Sequence, residues 1–272
     1  MSMRSGRKIL APGFSLIEIA VVLLIISVLI SIVAIPIATQ MDQSRVAETN
    51  KQLEAIKEAL IGYALANGRL PCPAIDGITF GSPSASSSGA EAPAPGGGCK
   101  VRVGYVPAAT IGISPVDSYG FALDAWGTSK NRIIYGVANI ANAAGSVCPS
   151  GGVVFPLTTP SGIKSASMDC ISNQGTLVPS KLISVCSAAP SGGVCGGTTL
   201  TSSAPFVLVS LGKNAPTGGV VGDETHNIDQ DLFFVSHTPT AAGSPAGEFD
   251  DIVVWPSLNT LFARMVQAGK LP

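Results

Sequence analysis

Charge is scarce in this chain of 272 residues: only 12% are Asp, Glu, Lys or Arg, and histidine occurs twice, as His226 and His237. Aromatic residues make up 6%. With 16 basic against 17 acidic side chains the formal net charge is −1, which gives no electrostatic footprint for nucleic acid. Catalytic signatures are equally thin. There is no G-x-S-x-G elbow, no H-E-x-x-H helix and no P-loop. Ser161-Gly162-Ile163-Lys164 has S-x-x-K spacing, but the companion S-D-N and K-T-G elements are missing. Both histidines lie in polar, turn-rich sequence and read as surface residues, not as a base or ligand. No C-x-x-C pair occurs, which argues against zinc, and no repeat of about 20–50 residues is apparent. What is plentiful is Gly (31) and Pro (20), the composition of a turn-rich body with strands and long loops. The expectation is a non-enzymatic protein with no catalytic residue.

One long apolar run stands out. From Phe14 to Ala38 the only ionisable side chain is Glu18. About 20 apolar residues cross a bilayer as a helix, so residues 14–38 are expected to span a membrane. Arg4, Arg7 and Lys8 precede the run. A cleavable secretory signal has an apolar region of roughly 7–15 residues and an A-x-A-like site; this run is longer and reaches Pro36 without that site. A single-pass anchor with its basic end in the cytoplasm fits the length. It leaves Glu18 unexplained, because a carboxylate in hydrocarbon is costly and calls for a partner.

A basic leader ending at Gly13, then Phe14-Ser15-Leu16-Ile17-Glu18 and an unbroken apolar helix, resembles the N-terminal segment of type IV pilins and type II secretion pseudopilins. The resemblance implies that a prepilin peptidase cuts between Gly13 and Phe14 and methylates the new N-terminus at Phe14. It further implies that Glu18 pairs with the N-terminal ammonium of a neighbouring subunit. Such a pair neutralises two charges that a lone helix would bury separately. Loss of Arg4, Arg7 and Lys8 with the leader makes the mature chain more acidic.

The six cysteines, Cys72, Cys99, Cys148, Cys170, Cys186 and Cys195, all follow the apolar run. An even count confined to that part reads as a disulfide set in an oxidising compartment. Many pairings are open; sequence neighbours favour Cys72 with Cys99, Cys148 with Cys170 and Cys186 with Cys195. Residues 41–67 continue as an amphipathic helix with Val46, Leu53, Ile56, Leu60 and Ala64 on one stripe. Asn67-Gly68 and Pro71 supply its stop. Residues 81–98, GSPSASSSGAEAPAPGGG, have too little apolar content to pack and read as a flexible surface loop. The runs KVRVGYVP, NRIIYGVA, GVVFPL, KLISVC, PFVLVSL, DLFFVS and DDIVVW read as strands. Residues 257–269 read as a final helix behind a Ser cap, with Leu258, Leu261, Phe262, Met265 and Val266 in helical spacing.

Two body segments extend the resemblance. Asp124-Ala125-Trp126-Gly127, followed by Tyr135, is similar to a D-x-W-G...Y element of major pseudopilins, whose Trp and Tyr pack the sheet onto the helix. Ser210-Leu211-Gly212-Lys213-Asn214, with Asp250-Asp251-Ile252 further on, is similar to their calcium-binding region, although Asn214 stands where that region has Asp and Lys213 adds a positive charge. A hard cation takes roughly six to eight oxygens. Asn214, Asp250 and Asp251 are the candidate calcium ligands, and Asp223, Glu224, Asp229 and Asp231 could serve in their place. The alternative to a metal is that Asp250-Asp251 hydrogen-bond a turn.

The expected fold is α+β: a long N-terminal helix, half transmembrane and half amphipathic, packed on an antiparallel β-sheet head with disulfide-closed loops. The expected organisation is a leader at 1–13, a transmembrane and filament-core helix at 14–38, an amphipathic helix at 39–70 and a β-rich head at 71–272. The resemblance implies a minor subunit of a pilus or secretion pseudopilus. Its implied partners are the prepilin peptidase, other pilin or pseudopilin subunits, the inner-membrane assembly platform and the lipid bilayer. It implies a single-pass inner-membrane location with a cytoplasmic N-terminus, followed by a periplasmic pseudopilus or a cell-surface pilus. A tip-located binding pilin and a plain membrane-anchored periplasmic protein are the competing readings.

Overall fold

The computed structural model describes residues 15–76, 89–95, 98–138, 157–165, 182–217, 221–244 and 247–271, with the backbone alone at 31–38, 165 and 217. Outside these residues lie the leader 1–13, with Gly13, then Phe14, Cys148, Cys170 and the expected GVVFPL strand up to Pro156. The chain divides into two compact units, Met1–Arg45 and Val46–Pro272.

Helix α1 runs Leu16–Asn67 and is shared by both units. In the first unit, residues 15–30 are exposed throughout, among them Leu16 at 90% and Ile17 at 72%. The expected membrane-spanning half is not found: among the described residues no helix is long and apolar enough to cross a membrane. The fold class is therefore corrected to α+β without a membrane-spanning helix among the described residues.

In the second unit α1 is amphipathic as its spacing predicts. Leu53, Ile56, Leu60, Ile61 and Ala64 are buried, while Lys57 and Glu54 pair on the surface. Val46, expected on the buried stripe, is 41% exposed. Thr49 is fully buried instead, because its hydroxyl accepts from Ala125 N at 3.2 Å.

Two sheets complete this unit. The first contains β1 (Val103–Tyr105), β2 (Ile134–Val137), β5 (Phe206–Ser210) and β7 (Ile252–Val254), in the order β1-β2-β5-β7 and antiparallel throughout. β2 and β5 are buried along their whole length, which matches their unbroken apolar sequences. The second contains β4 (Val194–Ala204), β3 (Ile183–Ser191) and β6 (Phe233–Val235), in the order β4-β3-β6. Here β3 and β6 pair in parallel, with Val185 opposite Phe234, so the expectation of purely antiparallel pairing is corrected. The reason is topological: β6 follows β3 through β4, β5 and the 211–232 excursion, and not through a hairpin.

β4 has no counterpart among the expected strands. Its sequence, VCGGTTLTSSA, is rich in Gly, Ser and Thr, and several register shifts mark its pairing with β3. The hairpin is held by the Cys186–Cys195 disulfide (Cα–Cα 5.2 Å). Cys72–Cys99 forms as expected too (Cα–Cα 5.3 Å), and among the described residues no cysteine is free.

One core joins the sheets, the buried stripe of α1 and the final helix α4 (Leu258–Gln267). The short helices α2 (Ala108–Ile111) and α3 (Gly162–Ser165) add Ala108 and Ile163 to it. Ser257 caps α4 by accepting from Thr260 N at 3.1 Å, and Leu258, Leu261, Phe262 and Met265 are buried. Val266, grouped with them by spacing, is 47% exposed. Between the sheets the contact is tight: a Cβ on Gly136 of β2 would stand 2.7 Å from the Phe234 ring of β6.

The stretch read as a flexible loop at 81–98 is described over 89–95 and at Gly98, and this part is anchored. Arg69 donates to both Glu91 oxygens at 2.7 Å, Cys72 N donates to Glu91 at 3.0 Å, and Ala92 N donates to Pro73 O at 3.2 Å. Burial alone would raise the Glu91 carboxyl; its bonds to Arg69 and Cys72 hold it below the ordinary range. Glu91 is the one charged residue in that stretch, and its pairing with Arg69 is a long-range contact that composition does not show.

Candidate metal centre

Three segments of the second unit converge on a cluster of carboxylates. The first is the loop 211–214 after β5, the second the 3-10 turn Gly222–Asn227, and the third Asp250-Asp251 ahead of β7. Glu224, Asp250 and Asp251 each place a carboxylate oxygen within 4.8 Å of the others. Glu224 is fully buried and Asp251 is 6% exposed.

Each carboxylate is held from one side. Asp250 Oδ2 accepts from the backbone N–H groups of Lys213 (2.8 Å) and Asn214 (3.1 Å). Glu224 accepts from Asp250 N (2.7 Å) and from Asn214 Nδ2 (3.0 and 3.3 Å). Asp251 Oδ2 accepts from Asn227 Nδ2 at 2.7 Å. Asn227 is itself fixed, because its Oδ1 accepts from Val235 N (2.8 Å) and its Nδ2 also donates to Val235 O (3.1 Å). Asp250 Oδ1 and Asp251 Oδ1 are buried without a hydrogen-bond partner. Buried acceptors in that condition are expensive.

Of the ligands expected from sequence, Asp250 and Asp251 come together, and Asn214 orients two carboxylates by donating its backbone N–H to Asp250 and its amide nitrogen to Glu224. Glu224 is the third acidic member. Its acidic neighbours in the sequence are engaged elsewhere: Asp223 with His237 (3.3 Å), Asp229 with His226 (3.0 Å), and Asp231 with Phe233 N (2.6 Å). Lys213 is exposed and contributes its backbone N–H.

Burial is the leading cause that raises the carboxyls of Glu224, Asp250 and Asp251 above their ordinary range. Repulsion adds to it: Asp250 acts on Glu224, Glu248 on Asp250, and both Glu224 and Asp250 on Asp251. Three close carboxylates with two unsatisfied oxygens form an all-oxygen donor set suited to a hard divalent cation, with carbonyls and water completing the shell. Among the described residues no nitrogen or sulfur donor, which softer metals favour, joins the cluster.

These shifts imply a pH dependence. Groups whose folded pKa is raised contribute stability below their unfolded pKa and lose it as pH rises through the folded values. With a chelator present, the melting temperature should therefore fall as pH rises from about 4 toward neutrality. Added calcium should flatten that slope by pairing the ionised forms. A chelated protein whose melting temperature climbs over this range would contradict the assignment.

The Asp124-Ala125-Trp126-Gly127 element lies behind the cluster. Tyr135 behaves as a packing residue: its hydroxyl donates to Pro71 O at 3.0 Å and its ring meets Phe206 edge-on. Asp124 does more than complete the motif, because it is 3% exposed and accepts from Ser210 Oγ at 2.6 Å. Comparison with protein families, with curated proteins and with solved structures finds no match.

Proposed function

We propose that this chain is a type IV pilin-like subunit, in a minor position of a pilus or type II secretion pseudopilus, with a structural and not a catalytic role. Prepilin peptidase cuts it between Gly13 and Phe14, and it assembles with other such subunits through the N-terminal part of α1. The observation that carries the reading is the pairing of Gly13-Phe14 and Glu18 with a helix whose residues 15–30 are uncovered in the single chain. Apolar surface on that scale marks an interaction site, and a lone carboxylate within it suits a pair with a neighbour's ammonium. The two disulfides support an oxidising location for the head. In the head, Glu224, Asp250 and Asp251 bind calcium, which clamps the 222–227 turn against the residues leading into β7.

Mass spectrometry of the protein purified from its native host tests the reading. The expected N-terminus is Phe14 carrying one methyl group. A chain that retains Gly13, or begins beyond Ala38, would remove the proposal.

A further inference from the structure

We infer that Asn131 and Asp124, more than about 90 residues from the carboxylates in sequence, are positioning residues of the cation site, acting through the Gly212 turn. The inference rests on calcium binding by the head. The cluster is more than an acidic patch, because Asp251 is 6% exposed, its Oδ1 has no hydrogen-bond partner and its carboxylate contributes an oxygen to the 4.8 Å group.

Asn131 is fully buried, and its Nδ2 donates at 2.6 Å to Gly212 O and at 3.1 Å to Asp124 Oδ2. Its Oδ1 accepts from Thr128 Oγ1 at 2.6 Å, so the amide cannot swivel without losing a bond at either end. Asp124 Oδ2 also accepts from Ser210 Oγ at 2.6 Å, and that hydroxyl accepts from Gly212 N at 3.3 Å. Both ends of the Gly212 peptide segment are thus gripped from behind. Immediately ahead, Lys213 N and Asn214 N hold Asp250 Oδ2. Asp124 is anchored in turn by Trp126 N at 2.9 Å, and the Ala125 N–H donates to Thr49 on α1. Neither Asn131 nor Asp124 belongs to the carboxylate group. Their effect runs through the backbone donors that aim one carboxylate, as outer-shell partners do at metal sites.

The test is calcium titration by calorimetry of the purified full chain in detergent, for wild type, Asn131→Ala, Ser210→Ala, Ser210→Thr and Tyr135→Phe. Tyr135→Phe deletes a buried hydrogen bond remote from the cluster and controls for lost stability alone. The expected result is about 10–100-fold weaker binding in Asn131→Ala and Ser210→Ala. Ser210→Thr, which keeps the hydroxyl, should bind as wild type does, and so should Tyr135→Phe. If Asn131→Ala does not fold, the Ser210 pair decides. Wild-type affinity in Ser210→Ala, or an equal loss in Tyr135→Phe, overturns the inference and leaves the cation site standing. Absence of binding by the wild type overturns both.

Discussion

Replacement of Arg132 by Ala should destabilise the head by about 3–5 kcal/mol, the range for removing one partner of a buried ion pair. Arg132 is 2% exposed. Its Nε donates to Asp117 Oδ2 at 2.7 Å, its Nη1 reaches Asp76 Oδ2 at 3.2 Å, and its Nη2 lies 2.6 Å from Asp117 Oδ2 without hydrogen-bond alignment. The guanidinium also sits 4.4 Å from the Phe121 ring centre, with Tyr119 and Tyr105 at 5.5 and 5.6 Å. Truncation would leave Asp76 and Asp117 buried beside aromatic rings with no cation. Lys should not rescue the loss, because a point charge cannot reach both carboxylates as a planar fork does. The triple change Arg132→Met, Asp76→Asn, Asp117→Asn should recover much of it, since no buried charge remains unpaired. Urea midpoints of the full chain in detergent measure all three. A loss below about 1 kcal/mol in Arg132→Ala, the level of a surface pair, would show that the cluster is wetter than its geometry indicates.

The second large effect belongs to Gly212. Its φ is +64°, and a Cβ there would stand 2.4 Å from Asp250 Oδ1 and 2.6 Å from the Asp250 carbonyl oxygen. Gly112 provides an internal control, with φ +73° and nothing within 4 Å of its added Cβ. Gly112→Ala should cost about 1–2 kcal/mol, the strain of the left-handed backbone alone. Gly212→Ala should cost a further 1–3 kcal/mol or so from overpacking, because one of the obstructing atoms is backbone and cannot rotate aside. It should also weaken calcium binding, since Asp250 Oδ1 is the atom displaced. Equal melting temperatures for the two variants would refute the close approach at Gly212.

The parts of this arrangement that are legible in the sequence are those fixed by local pattern. Leu53, Ile56, Leu60 and Ala64 announce the buried face of α1 by spacing, Ser257 announces the start of α4, and unbroken apolar runs announce β2 and β5. Asp250-Asp251 is visible through the resemblance of Ser210–Asn214 and Asp250–Ile252 to a calcium-binding region. The remainder depends on partners distant along the chain. Thr49 is buried for the sake of Ala125, 76 residues away, and Glu224 is singled out from its acidic neighbours by Asp250 N, 26 residues on, and by the Asn214 amide, 10 residues back. Asn131 carries no signal at all until Gly212 is beside it. β4 is hidden for another reason: its pairing with β3 is irregular, so the two-residue alternation that betrays a strand is lost. The expected transmembrane half of α1 is a correction of a different kind: among the described residues no helix is long and apolar enough to cross a membrane.

The contact between Gly136 and the Phe234 ring bears on how the head comes apart. Phe234 rests on β6 in one sheet and fills a space that exists only because β2 in the other sheet lacks a side chain there. Peeling either sheet away exposes the same ring and opens the same hollow, so neither sheet has a partly unfolded form that keeps its own half of the core intact. Loss of order should therefore be all-or-none across both sheets, and a head that has begun to open at β6 has already lost the packing that supports β2.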